Sequence, residues 1–120
     1  MRLTPEQERR VALETNLWLA TTRPDGRPHL VPIWFVMVDG AWYVCVNPNS
    51  VKARNLQADP HCTWSLERGD DALVIEGQAK PVEPSAAVKA AFRAKFDWDI
   101  ETDQEYTLVF ELTPSRKVMG

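Results

Sequence analysis

An Asp-Gly pair at positions 39 and 40, set between an apolar run ending at Val38 and another beginning at Ala41, constrains this chain more than any other feature. Both residue types accept the positive φ that a two-residue hairpin turn requires, so the flanking runs are expected to fold back as antiparallel strands. The strand before the turn, His29 to Val38, is apolar nearly throughout, as a segment covered on both faces would be. The strand after it runs from Ala41 to Val46. Pro32 interrupts the first strand. It has no N–H to give to a ladder, which places it at a sheet edge or a bulge with nearby backbone free for another partner.

Strand-type segments and turns recur on either side. Leu17 to Arg23 alternates Leu17, Leu19 and Thr21 against Trp18, Ala20 and Thr22, and Pro24-Asp25-Gly26 supplies turn chemistry into the strand at His29. His61 to Glu67 puts Cys62, Trp64 and Leu66 on one face. After the polar turn Arg68-Gly69-Asp70-Asp71, Ala72 to Val82 is a long strand in which Gly77 marks a bulge or a close backbone approach. A last strand alternates Tyr106, Leu108, Phe110 and Leu112 with Thr107, Val109, Glu111 and Thr113 and is expected to close at Pro114.

Three helices interrupt this pattern. Thr4 caps one from about residue 5 to 15, with Pro5 at its first position and Glu6 and Glu8 where acids suit the helix dipole. A second opens at Ser50 and stops before Pro60. The third, Pro84 to Phe96, carries Val88, Ala91, Phe92 and Phe96 on one stripe with Lys89, Arg93 and Lys95 mostly away from it. The acidic stretch that follows, 97 to 105, reads as solvated surface, with Trp98 a candidate anchor at an interface. The whole predicts a mainly β domain spanning residues 1–120: six antiparallel strands, mostly hairpin-linked, closed into a barrel with short helices. A barrel this small is filled by its own side chains, so a sizeable ligand must lie outside it or between subunits.

A net charge of −3 and a pI near 5.4 argue against sequence-independent nucleic-acid binding, which needs a basic face. The N-terminus is charged from Arg2 and no run approaches the roughly 18 apolar residues of a membrane span, so a cytoplasmic protein without a membrane partner is expected. Cys45 and Cys62 lie far apart with no Cys/His ligand spacing and are expected as buried free thiols, not metal ligands.

The helix at Ser50 carries the chemistry. Its start has unpaired N–H groups and a partial positive charge, and Lys52 in its first turn is unfavourable against that dipole unless an anion uses both. A phosphorylated ligand is the candidate. Arg54 lies about 200° round the helix from Lys52 and cannot easily reach the same phosphate.

Four pieces of the chain in this order, LATTRPDGRPHLVPIWF, VDGAWYV, NSVKARNLQADP and VIEGQAKPV, resemble the pyridoxamine 5′-phosphate oxidase-like superfamily of split β-barrel flavin- and deazaflavin-binding proteins. The resemblance covers most of the chain and implies an FMN-binding split barrel, with the flavin in a groove at a homodimer interface. It implies a ring near Leu30, Val31, Pro32, Ile33 and Trp34, with Val46 and Asn47 flanking the groove and Ser50, Val51 and Lys52 at the phosphate. Trp34, Trp64 or Trp98 would cover apolar surface between chains. Oxidases of the family often have arginine where this sequence has His29 or Val51, and threonine at Val46. The arginine-rich C-terminal extension of true pyridoxamine phosphate oxidases is not present before Gly120, so a different substrate is expected.

Two function classes follow. In one, the protein is an oxidoreductase using FMN, or alternatively the deazaflavin F420, for hydride transfer with a small organic substrate. The cofactor supplies the chemistry, and no catalytic side chain is assigned. His29 is a candidate proton donor near the ring but stays outside that set. In the other class, the protein holds a flavin, deazaflavin or haem without catalysis.

Overall fold

The computed structural model describes residues 1–120. The Asp39-Gly40 turn joins β3 (Val36–Val38) to β4 (Ala41–Val46), with Val38 opposite Ala41 and φ values of 52° and 81° at the two turn residues. The earlier hairpin pairs β1 (Asn16–Thr22) with β2 (Pro28–Trp34), and β5 (His61–Leu66), β6 (Val74–Val82) and β7 (Leu108–Met119) complete one sheet. Its order is β2-β1-β5-β6-β7-β4-β3, and every pairing is antiparallel. Helices α1 (Pro5–Leu13), α2 (Val51–Ala58) and α3 (Ala86–Phe96) each start on a side-chain cap, Thr4, Ser50 and Ser85 respectively. At Thr4 the cap is reciprocal, because Gln7 reaches back to the Thr4 amide. No helix is long and apolar enough to cross a membrane.

Seven strands stand where six were expected because the stretch His29 to Val38 breaks at Phe35. β2 pairs only with β1 and β3 only with β4, so the two edges of the sheet are consecutive pieces of the same stretch. The ladder is left open there, which makes the barrel split rather than closed. Phe35 turns fully inward and stacks on Trp42 with ring centres 5.2 Å apart. Its amide donates to the Thr15 carbonyl at 3.2 Å, and its own carbonyl accepts from Lys95 Nζ at 3.0 Å. A β-strand cannot serve neighbours on both edges of a curled sheet without reorienting its backbone, and Phe35 is where that happens.

Two cores result. The barrel interior is filled by Leu17, Leu19, Phe35, Trp42, Val44, Val46, Trp64, Ile75, Phe110 and Leu112, together with Ala53 and Leu56 of α2. The second lies outside the sheet, where α3 lays Val88 and Phe92 over Val36, Cys45 and Val109. Alternation along β4 and β7 explains the division: Val44 opposite Phe110 faces in, Cys45 opposite Val109 faces α3. Both cysteines are free and buried, and burial pushes each thiol up to about 12.

The other half of the outer face is bare. β2 was expected to be covered on both faces, yet Leu30 is 60% and Trp34 46% exposed, with Trp18 39% exposed opposite Pro32 on β1. Only the last turn of α3 reaches this side, where Phe96 meets Trp34 at the end of β2, so the apolar run is half-covered within one chain. Pro32 is on an edge strand, where its missing N–H costs no ladder bond on the unpaired side.

Three further expectations change. Pro114 does not end the last strand, which continues to Met119 because Pro114 sits opposite Gly77 at a register shift that absorbs it. Without a side chain, Gly77 lets β7 approach: a Cβ there would overlap the Thr113 carbonyl oxygen and lie 2.8 Å from the Trp64 ring. Lys95 does not point away from the core. Its ammonium donates to the Val11 and Phe35 carbonyls and lies 3.9 Å from the Phe35 ring centre, tying α3 to α1 and to the strand break. The first helix ends at Leu13 rather than near residue 15, with Arg10 buried and paired with Glu14 at 2.9 Å.

Gly77→Ala is expected to lower stability by about 1–3 kcal/mol, the usual cost of overfilling a packed site, seen as a lower urea midpoint with unchanged slope. Lys95 gives a pH dependence. Burial lowers its pKa from 10.5 to about 8, offset in part by the charges of Glu67 and Glu14. Between those values the unfolded chain holds a proton that the folded one does not, so raising the pH through this window removes a cost from the folded state. The stability of the wild type relative to Lys95→Met should therefore rise from pH 8 towards 10.5 in paired denaturation curves. A flat difference would remove the buried-amine account.

Candidate functional site

The bare outer face runs into a groove of about 590 Å³ whose wall is assembled from both ends of the chain. β2 contributes Pro32, Ile33 and Trp34, β1 its first residue Asn16, β4 Cys45 and α2 Lys52. The last turn of α3 and the loop after it add Phe96, Asp97, Trp98, Asp103 and Tyr106. Four of the ten candidate residues therefore line one cavity: Pro32, Ile33, Trp34 and Lys52.

The remaining candidates surround it in different ways. Leu30 is exposed on the face of β2 that also bears Pro32 and Trp34, while Val31 is half-buried on the opposite side. Val46 is fully buried and faces the barrel core rather than the groove, which its neighbour Cys45 lines instead. Asn47 builds the turn into α2. Its side-chain oxygen accepts from the Asn49 amide at 2.8 Å and its carbonyl accepts from the Ser50 amide and hydroxyl. Ser50 Oγ in turn accepts from the Ala53 amide at 3.3 Å, so this hydroxyl is committed to the cap. Val51 is exposed at the first helical position, and the amides of Val51 and Lys52 have no acceptor within the chain.

α2 is held in place from beneath. The buried Asn55 side chain donates to Thr21 Oγ1 of β1 at 3.0 Å, and Ala53 and Leu56 plug into the barrel core. Lys52 is consequently carried on a fixed turn, half-buried, with its proton affinity lowered by burial and no carboxylate charge to offset it. His29 is close enough for Arg23 and Lys52 to act on it. Burial first, and then these two positive charges, lower its pKa, and its buried Nδ1 has no hydrogen-bond partner. Arg54 lies away from the groove beside Arg23 and Arg27, as the turn angle from Lys52 requires.

Sequence reasoning missed the aromatic wall. Trp34 stacks flat on Phe96, with ring centres 4.4 Å apart and an 8° tilt, and Trp98 packs edge-on against Trp34, Phe92 and Tyr106. The acidic stretch 97–105 is folded rather than merely solvated. Asp103 accepts from the Glu105 and Tyr106 amides and from the Trp98 indole at 3.0 Å, bonds that hold its carboxyl below the usual range. Trp98 is thus an anchor within its own chain. The spacing Phe92, Phe96, Trp98, Tyr106 carried the only available signal, one that crosses a helix end and escapes any single periodicity.

A second depression, of about 490 Å³, lies between α1, α3 and the Asp39-Gly40 turn. Its one amine, Lys95, is engaged by two carbonyls, so it offers no free cation.

The comparisons with known proteins agree with the fold. No curated protein matches the chain in sequence. Among solved structures, HutZ, the haem storage protein from Vibrio cholerae, aligns over 100% of this chain and 98% of its own at 25% identity and a TM-score of 0.80. A conserved hypothetical protein from Mycobacterium tuberculosis aligns over 98% of this chain and 83% of its own, at 28% identity and a TM-score of 0.79. An F420 reductase shares the fold at 22% identity and a TM-score of 0.73, over 92% of this chain and 94% of its own. The sequence profile described as pyridoxamine 5′-phosphate oxidase matches residues 3–117, and with the split antiparallel sheet already in view, the chain belongs to that family.

Proposed function

We propose that this protein is a homodimeric oxidoreductase that holds FMN, or alternatively F420, in the groove beside β2. The observation that carries the reading is the unpaired, half-buried Lys52 beside two amides with no acceptor, at one wall of a groove whose β2 side is apolar. A buried cation without a partner is costly, and a phosphate relieves it while accepting the amides of Val51 and Lys52. Ser50 shapes this site as the cap, and Asn47 fixes the turn that presents it. Arg23 adds positive charge nearby, close enough to act on His29.

The unpaired edge of β2 from Leu30 to Trp34 offers apolar side chains and free backbone to a planar ring. A flavin or deazaflavin supplies hydride transfer to or from a small organic substrate. The protein's part is to bind, orient and keep water away, and no acid or base from the chain is assigned. FMN and F420 both carry phosphate, so α2 does not distinguish them. Trp18, Leu30 and Trp34 leave large apolar surfaces in water, and a second copy over this face buries them and closes the groove. Such a protein works in the cytoplasm.

A second, non-catalytic reading is haem binding. It is supported by the likeness to the haem storage protein.

The test is the absorbance spectrum of the purified protein, sedimentation to establish its mass, and titration of FMN and F420 into wild type and Lys52→Ala. The expected result is a dimer in which the substitution weakens flavin or deazaflavin binding roughly ten- to a hundredfold, the worth of a charge-assisted bond of about 1.5–3 kcal/mol, without altering the fold. Equal affinity in the mutant, or a monomer that binds at full strength, overturns the site. A Soret band in place of flavin bands moves the assignment to haem.

A further inference from the structure

The groove does not present one sign of charge. Lys52 on α2 and Asp103 in the loop between α3 and β7 both line it, yet they form no ion pair, so opposite charges stand at separate points of the wall. Around Asp103 the wall is aromatic. Trp34 and Tyr106 keep 46% and 40% of their surface exposed, Phe96 backs Trp34 and Trp98 backs Tyr106 at 5.9 Å. The three donors to Asp103, two amides and the Trp98 indole, fix its carboxylate without supplying a positive charge. Its negative field reaches the floor of the groove, because after burial it is the Asp103 charge that raises the thiol pKa of Cys45. Arg93 of α3 is drawn to Asp97 and Asp99 and does not line the cavity.

Aromatic faces attract cations, and a carboxylate beside them adds to the attraction while repelling anions. We infer that the part of the groove around Trp34, Trp98, Asp103 and Tyr106 selects a planar organic cation as the substrate-side ligand and rejects carboxylates and phosphates. The inference rests on the cofactor reading above, which places the anionic group of the cofactor at Lys52 and its ring along β2, so that Trp34 borders both parts of the groove and Trp98, Asp103 and Tyr106 are left for the substrate. Discrimination then comes from charge as much as from shape. A flat neutral ring gains only stacking, whereas a flat cation gains stacking, the ring quadrupoles and Asp103 together.

The experiment compares N-methylquinolinium with quinoline-2-carboxylate, bicycles of opposite charge, by quenching of tryptophan fluorescence in the dimer as purified. The cation is expected to bind at least about tenfold more tightly than the carboxylate. Tyr106→Leu, which retains the backbone amide bonded to Asp103, should weaken the cation roughly three- to fivefold. Asp103→Asn should narrow the cation-to-anion ratio, with near-ultraviolet circular dichroism showing whether the Trp98 environment is kept. A carboxylate bound as tightly as the cation, or a ratio unmoved in Tyr106→Leu, overturns the inference. FMN and F420 titrations on the same sample report separately on the cofactor reading, so the failure of one is not mistaken for the failure of the other.

Discussion

The structure depends on the break in the strand at Phe35. One stretch of chain must furnish both edges of a curled sheet, and the residue between them must give up its place in either ladder. Its polar groups are satisfied elsewhere, the amide by Thr15 and the carbonyl by Lys95, while its ring fills the barrel against Trp42. Burying an ammonium to cap a carbonyl is expensive in isolation. Here one amine serves two carbonyls and lies over an aromatic face, which offsets much of that cost.

The same turn of α3 also builds the groove. Lys95 grips Phe35 while its neighbour Phe96 stacks on Trp34, so adjacent residues of one helix hold adjacent residues of the break. Trp34 would otherwise be a free side chain at the end of an edge strand. Phe96 gives it a fixed plane, and Trp98, held by Asp103, adds a second. Rigid aromatic surfaces lose little conformational entropy on binding, which is why such walls suit recognition of planar ligands.

On the α2 side the logic is electrostatic. The cap consumes Ser50 and the turn consumes Asn47, so the donors left over are the amides of Val51 and Lys52 and the Lys52 ammonium. These groups converge because Asn55 and Leu56 fasten the helix to the barrel, not because of any property of Lys52 itself. The donor set is unsatisfied and positive, and it borders the bare apolar face of β2. An anion carrying a flat apolar body complements both.

Much of this was legible in one dimension. Asp39-Gly40 specified its hairpin, period-two alternation located β1, β5 and β7, Ser50 and Pro60 bounded α2, and Gly77 announced a close approach, because turns, caps and alternation are set by residues a few positions apart. The sequence also singled out Lys52 and Pro32. What it did not reveal depends on distant partners. Whether the stretch around Phe35 is one strand or two was decided by β1 and β4 pairing on opposite sides of it. Lys95 looked like surface until Val11 and Phe35 came within reach, and Pro114 looked like a stop until Gly77 stood opposite. The aromatic and acidic part of the groove exists only because α3 returns to the end of β2, bringing residues 96 to 106 against Trp34. Local chemistry determined the elements of this protein; the curl of the sheet, which no short window of residues encodes, determined which of them meet.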